Sequence, residues 1–200
     1  ARAVVARDVN NDGRMDVVVG KRINGGFEVF LGNGSGGFSA PTAFAGSTTS
    51  GSEFRLVDFN SDGKVDIVTG NASHVEIWSG NGQGSFALSS SFLVAGGDSI
   101  AVGDVNGDER ADILVTGGGV TVTYINNGQG GVTQGPSTAT KGGTLAMEVA
   151  DFDGNGILDF VSSSSSGLGE TAIYLGNGDG TFRRSYNANL TSDASNYKIG

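Results

Sequence analysis

Short apolar runs rich in Val, Ile, Thr and aromatics alternate along this chain with clusters of Gly, Asn, Ser and Asp. No helical stretch interrupts the pattern. Runs of this composition, bounded by turn residues, predict β-strands, and four fall in each stretch of roughly 50 residues. In the third stretch they are Ser99–Gly103, Asp112–Thr116, Val120–Asn126 and Gly131–Pro136. The 36 glycines against only 2 prolines suit a chain of many tight turns.

The pattern repeats with its turns. An acidic nonapeptide begins at Asp8, Asp58, Asp104 and Asp151, at spacings of 50, 46 and 47 residues. A second motif follows each copy: Gly32-Asn-Gly-Ser-Gly-Gly-Phe38, Gly80-Asn-Gly-Gln-Gly-Ser-Phe86, Asn126-Asn-Gly-Gln-Gly-Gly-Val132 and Gly176-Asn-Gly-Asp-Gly-Thr-Phe182. A fixed period of this length means a solenoid, propeller or array. Four strands per repeat and no helix choose the β-propeller blade. The expected blades span about 1–47, 48–95, 96–141 and 142–193. Residues 194–200 align with the opening strand of a blade. Blade one already has a first strand, so that last strand is surplus to a closed four-blade ring. The chain therefore reads as a segment of a larger propeller, with an open edge and apolar flanks that promote association.

The nonapeptides carry the candidate chemistry. Oxygen side chains stand at loop positions one, three, five and nine: Asp8, Asn10, Asp12 and Asp16; Asp58, Asn60, Asp62 and Asp66; Asp104, Asn106, Asp108 and Asp112; Asp151, Asp153, Asn155 and Asp159. Alternate residues of a short loop point inward, and carboxylate and amide oxygens suit a hard cation such as Ca²⁺. Position six needs a sharp turn at positive φ, supplied by Gly13, Gly63 and Gly156. Glu109 stands there in the third loop, which predicts a strained, weaker site. Three carboxylates within nine residues repel one another without a cation.

The spacing resembles the FG-GAP or VCBS-type repeat, the calcium-loop blade of integrin α-subunits and of many secreted bacterial and fungal proteins. EF-hand and dockerin loops begin alike, but they carry an acidic ligand at position twelve. Val19, Thr69, Val115 and Ser162 occupy it here. The resemblance implies one Ca²⁺ per blade, about four in all. It adds the backbone carbonyls of Arg14, Lys64, Arg110 and Ile157 at position seven as ligands, and makes the position-nine carboxylate bidentate. It also implies a parent of about seven blades, whose remaining blades would be partners of this segment.

Charge supports the loop reading. Twelve of the 21 acidic residues lie at the loop positions above, and the net charge is −9. The acidity is local to the loops, and a nucleic-acid partner would want a basic face. No stretch approaches the roughly 20 apolar residues of a membrane helix. Cysteine is absent, which removes disulfide and thiol chemistry.

Other residues take structural readings. Phe30, Trp78, Tyr124 and Tyr174 recur in register before the second motif and fill the wedge between blades, with a sugar-stacking platform as the alternative. Phe38, Phe86 and Phe182 read as core. His74 reads as a solvated turn residue and Ser162–Ser166 as a flexible loop. Two function classes follow. One is a non-catalytic calcium-binding scaffold, secreted or on the cell surface, serving adhesion or protein and glycan binding. The other is the propeller of a secreted enzyme, of the polysaccharide lyase or quinone-dependent dehydrogenase type. Outside the loops stand Asp98, Asp179, Asp193, Glu28, Glu53, Glu76, Glu148, Glu170 and His74, with no acid–base constellation.

Overall fold

A computed structural model describes residues 3–21, 26–46, 53–71, 73–97, 99–140, 144–164 and 170–189. Sixteen strands form four antiparallel sheets, and each sheet follows chain order. Blade one holds β1 (Val4–Arg7), β2 (Asp16–Gly20), β3 (Phe27–Phe30) and β4 (Thr42–Phe44). Blade two holds β5 (Glu53–Val57), β6 (Asp66–Gly70), β7 (His74–Gly80) and β8 (Phe86–Leu93). Blade three holds β9 (Ser99–Gly103), β10 (Asp112–Gly117), β11 (Val120–Asn126) and β12 (Val132–Ala139). Blade four holds β13 (Thr144–Ala150), β14 (Asp159–Ser164), β15 (Glu170–Gly176) and β16 (Phe182–Asn189). No helix occurs among the described residues. The strand predicted for 194–200 lies outside them.

Register ties the loops to the sheets. Arg7 pairs with Asp16, Val57 with Asp66, Gly103 with Asp112 and Ala150 with Asp159. Each nonapeptide is therefore the hairpin loop between first and second strands, and its ninth residue opens the second strand. Strand β12 runs past Pro136, where the sequence pattern ended it. It is an edge strand, and an edge position tolerates the missing proline N–H.

The chain divides into two compact units, Ala1–Gly97 with Asn126–Gly131, and Asp98–Ile125 with Val132–Gly200. In the first unit, Val9, Val18, Phe27 and Val29 of blade one pack against Phe54, Val65, Ile67, Trp78 and Phe86 of blade two. Phe27 centres an aromatic cluster: Phe44 stacks on it at 4.9 Å between centroids, and Trp78 meets it edge-on at 5.3 Å. Both geometries suit the ring quadrupole. In the second unit, Ala101, Val105 and Leu114 of blade three pack against Met147, Phe160, Ala172 and Tyr174 of blade four. Phe160 and Tyr174 stack at 4.4 Å, with Phe182 edge-on to Phe160 at 4.8 Å.

The wedge reading thus fits Trp78 and Tyr174, which sit in these cores, and Tyr124 is also buried. Phe30 is only half-buried. Phe86 and Phe182 are core as predicted, but Phe38 is 51% exposed. The same side chain is buried in blade two because blade one covers it. Ser162–Ser164 form the end of β14, with Ser162 and Ser164 buried, so this part of the serine run is strand and not loop. Small side chains there continue the strand's alternation beyond Phe160. Ser165 and Ser166 lie outside the described residues. His74 begins β7 and is half-buried; the Asn71 side chain closes the turn before it by accepting the N–H groups of Ser73 and His74.

Candidate metal centre

The four loops fold by the same internal hydrogen bonds. The position-one carboxylate accepts the N–H of position six: Gly13 to Asp8 at 2.7 Å, Gly63 to Asp58 at 2.8 Å, Glu109 to Asp104 at 2.8 Å and Gly156 to Asp151 at 2.8 Å. The position-three side-chain oxygen of Asn10, Asn60, Asn106 or Asp153 accepts the N–H of position five, Asp12, Asp62, Asp108 or Asn155, at 3.0 to 3.2 Å. The position-five oxygen accepts the N–H of position seven. Backbone donors therefore hold the side chains of positions one, three and five against their own loop.

These donors also set the charges. For Asp8, desolvation works against the carboxylate. The N–H groups of Gly13, Asp12, Asn10 and Asn11 together outweigh it and hold the group below the ordinary Asp range. Asp151 is held low chiefly by the Gly156 N–H, against desolvation, with help from Gly154, Asn155 and Asp153. Asp62 is lowered first by the hydrogen bond from the Lys64 side chain. Asp66 behaves oppositely: burial pushes it up, more than the N–H groups of Gly80, Phe59 and Asn60 pull it down.

The position-nine residues are fully buried: Asp16, Asp66, Asp112 and Asp159 each expose none of their surface. One oxygen accepts the N–H of loop position two, from Val9, Phe59, Val105 and Phe152. In three blades the other oxygen accepts the N–H that opens the Gly-Asn-Gly turn: Gly32 at 2.7 Å, Gly80 at 2.8 Å and Gly176 at 2.9 Å. Each of these carboxylates joins the loop to the turn between third and fourth strands. From sequence these aspartates read as ligands; the clamp is visible only in the structure. The co-occurrence of the two motifs in every repeat was the available signal.

Two further features were not read from the sequence. The side chains of Arg14, Lys64 and Arg110 pair with the position-five carboxylates, Lys64 with Asp62 at 2.9 Å and Arg110 with Asp108 at 2.6 Å. Ile157 stands at that place in loop four, where position five is Asn155. Position four also adopts positive φ, as Asn11 and Ser61 at 59°, Gly107 at 79° and Gly154 at 76°.

The residues present fit a hard cation most fully in loop four. Among the described residues, Asp151, Asp153 and Asp159 form the one acidic, His or Cys group of three whose donor atoms lie within 4.8 Å of one another. No cationic side chain stands at position seven to neutralise them. All-oxygen donors at this density are the chemistry Ca²⁺ takes.

Glu109 has φ 64°, the left-handed conformation that its glycine counterparts adopt at 80° to 84°. A Cβ at Gly13, Gly63 or Gly156 would meet nothing within 4 Å, so the cost in loop three is backbone strain and not a clash. Glu109→Gly is expected to raise stability by roughly 0.5–1 kcal/mol, because the relief of left-handed strain exceeds the added unfolded-state freedom. Chemical denaturation in chelator measures it; an unchanged or lower midpoint counts against the strain.

Four-stranded meanders repeated at one period define the β-propeller class. The FG-GAP-like repeat profile matches residues 8–69, 58–115 and 104–162, and the chain belongs to that family. No curated protein sequence matches it. Among solved structures, an Agrocybe aegerita lectin described by its specific recognition of non-reducing terminal N-acetylglucosamine superposes with TM-score 0.62 and 26% identity over 92% of this chain. The Photorhabdus luminescens Tc holotoxin pore superposes at TM-score 0.55 and 14% identity over 93% of this chain and 9% of its own, a likeness of fold. The V. cholerae biofilm matrix protein Bap1 gives 0.46 at 21% identity, covering 94% of this chain and 39% of its own. The chain spans 51% of the lectin's length.

Proposed function

We propose that this chain is a calcium-binding, non-catalytic propeller segment of a secreted or cell-surface protein, and that it presents a glycan- or protein-binding surface. The carrying observation is the loop geometry: side-chain oxygens at positions one, three and five accept the loop's own backbone N–H groups in all four blades, and in loop four Asp151, Asp153 and Asp159 bring donor oxygens within 4.8 Å of one another. Each Ca²⁺ would be held by those side chains together with the carbonyls of Arg14, Lys64, Arg110 or Ile157. Loop four fills first, because nothing at position seven competes for its charge, and strained loop three fills last.

The metal's role is structural. It staples the hairpin between first and second strands. At about 1 mM free Ca²⁺ and a Kd of about 0.1 mM, each site contributes roughly 1.4 kcal/mol. Such affinities suit extracellular calcium levels. The likeness to the lectin, at 26% identity over nearly the whole chain, supports a glycan as ligand. No helix among the described residues is long and apolar enough to cross a membrane. The test is a glycan array that includes terminal N-acetylglucosamine, probed in Ca²⁺ and again in chelator. Binding is expected in Ca²⁺ and is lost or weakened in chelator. No glycan bound in either condition removes the glycan arm of the reading.

A further inference from the structure

We infer that the side chain at loop position seven is a built-in cation that sets how tightly each loop takes its metal. Arg14, Lys64 and Arg110 supply it in blades one to three, and Ile157 withholds it in blade four. The inference rests on the calcium reading above and names the residues that regulate it. Positions five and seven change together. Asp12, Asp62 and Asp108 stand two residues before a cation, whereas Asn155 stands before Ile157 and the third carboxylate moves to Asp153. Every loop keeps three carboxylates among its side-chain ligands. The cation lowers that charge in the first three loops to −3 + 1 = −2, and loop four keeps −3.

The cation is anchored by the Gly-Asn-Gly turn of its own blade. A Cβ on Gly34 would lie 2.8 Å from Arg14 Cδ, and one on Gly82 would lie 3.2 Å from Lys64 Cδ. The aliphatic stem therefore runs over the glycine that follows the turn asparagine. Arg14 is tied there as well, its Nε donating to the Gly32 carbonyl at 3.0 Å. Ile157 takes the same seat in blade four, where a Cβ on Gly178 would meet its Cδ1 at 3.4 Å. The seat is common to these three blades, and only the charged head differs.

That head is aimed at one oxygen. Lys64 Nζ lies 2.9 Å from Asp62 Oδ2 and Arg110 Nη2 lies 2.6 Å from Asp108 Oδ2; Arg14 reaches Asp12 Oδ2 in the same way. The other oxygen, Oδ1, accepts the backbone N–H of the same position-seven residue. One residue thus grips both oxygens of the carboxylate. With its stem anchored, the pair gives up less side-chain freedom than an ordinary surface ion pair. A fixed positive charge beside an entering divalent ion weakens its binding, by about three- to tenfold at low salt and by less where salt screens it. Without metal the same charge relieves the repulsion among the three carboxylates. The cation therefore steadies the metal-free loop and opposes the filled one.

Calcium titration calorimetry and thermal melts in chelator, each at low and high salt, test this on the full chain. Lys64→Met keeps the stem over Gly82 and removes the charge. It should tighten one site about three- to tenfold and lower the melting temperature in chelator, and both changes should shrink in high salt. Lys64→Arg should behave as the wild type. Ile157→Lys should do the reverse, weakening the tightest site and raising the melting temperature in chelator. If position seven were only a structural brace, Lys64→Met would lower stability and affinity together. That result, or an unchanged affinity in a protein whose wild type does bind Ca²⁺, overturns this inference alone. A wild type that takes up no Ca²⁺ overturns the calcium reading and this inference with it.

Discussion

Asp66→Ala is expected to lose roughly 3–4 kcal/mol of stability in metal-free buffer, more than the loss of one bound ion explains. Asp66 is fully buried and accepts three backbone N–H groups, from Phe59 at 3.0 Å, Asn60 at 3.2 Å and Gly80 at 2.8 Å. Truncation strands those donors, and a buried donor without a partner costs about 1–3 kcal/mol. The Gly80 bond also ties the acidic loop to the following turn, so both elements loosen together. Asp66→Asn keeps one acceptor oxygen but turns an NH₂ toward a donor, and its loss should be about half as large. Urea denaturation in chelator provides the measurement. If Asp66→Ala matches wild type without metal and falls behind only in Ca²⁺, the aspartate is a ligand and not a clamp.

Gly80→Ala is expected to lose about 3 kcal/mol, by overpacking against rigid backbone. The new Cβ would lie 2.0 Å from the Val65 carbonyl oxygen. Its counterparts face the same obstacle: Gly32 lies against the Met15 carbonyl at 2.1 Å and Gly176 against the Leu158 carbonyl at 2.3 Å. The requirement at this position is close approach. At Gly63 the requirement is φ, which is 80° with no neighbour within 4 Å. Gly63→Ala should therefore lose only about 1–2 kcal/mol. Reversing that order in thermal or urea melts would show that the two glycines have been assigned the wrong reasons.

These two residues show which parts of the fold were legible. The loop positions, the glycine at position six and the strain at Glu109 are local demands, written in consecutive residues and repeated four times. The place of each loop, as the hairpin between first and second strands, followed from the strands flanking it. The Asp66 clamp was not legible, because it joins residues 14 apart through a turn whose path the loop motif does not encode. Burial of Phe38 was misjudged for a similar reason. Phe38 and Phe86 occupy the same place in the repeat, and only the presence of a covering blade separates them. The cationic residue at position seven was read for its carbonyl alone, whereas its side chain reaches the carboxylate two residues back. Pro136 looked like a strand end because the sequence does not announce which strand lies at an edge.

Titration calorimetry of chelator-stripped protein, paired with thermal melts across the same Ca²⁺ range, measures whether the four loops bind calcium. About four sites should appear at sub-millimolar to millimolar Kd, and the melting temperature should rise with each increment of Ca²⁺. Asp151→Asn with Asp153→Asn should remove the tightest site, since those groups form with Asp159 the one converged carboxylate set among the described residues. No heat and no thermal shift at several millimolar Ca²⁺ would rule out calcium binding and leave the loops as hydrogen-bonded turns without a metal.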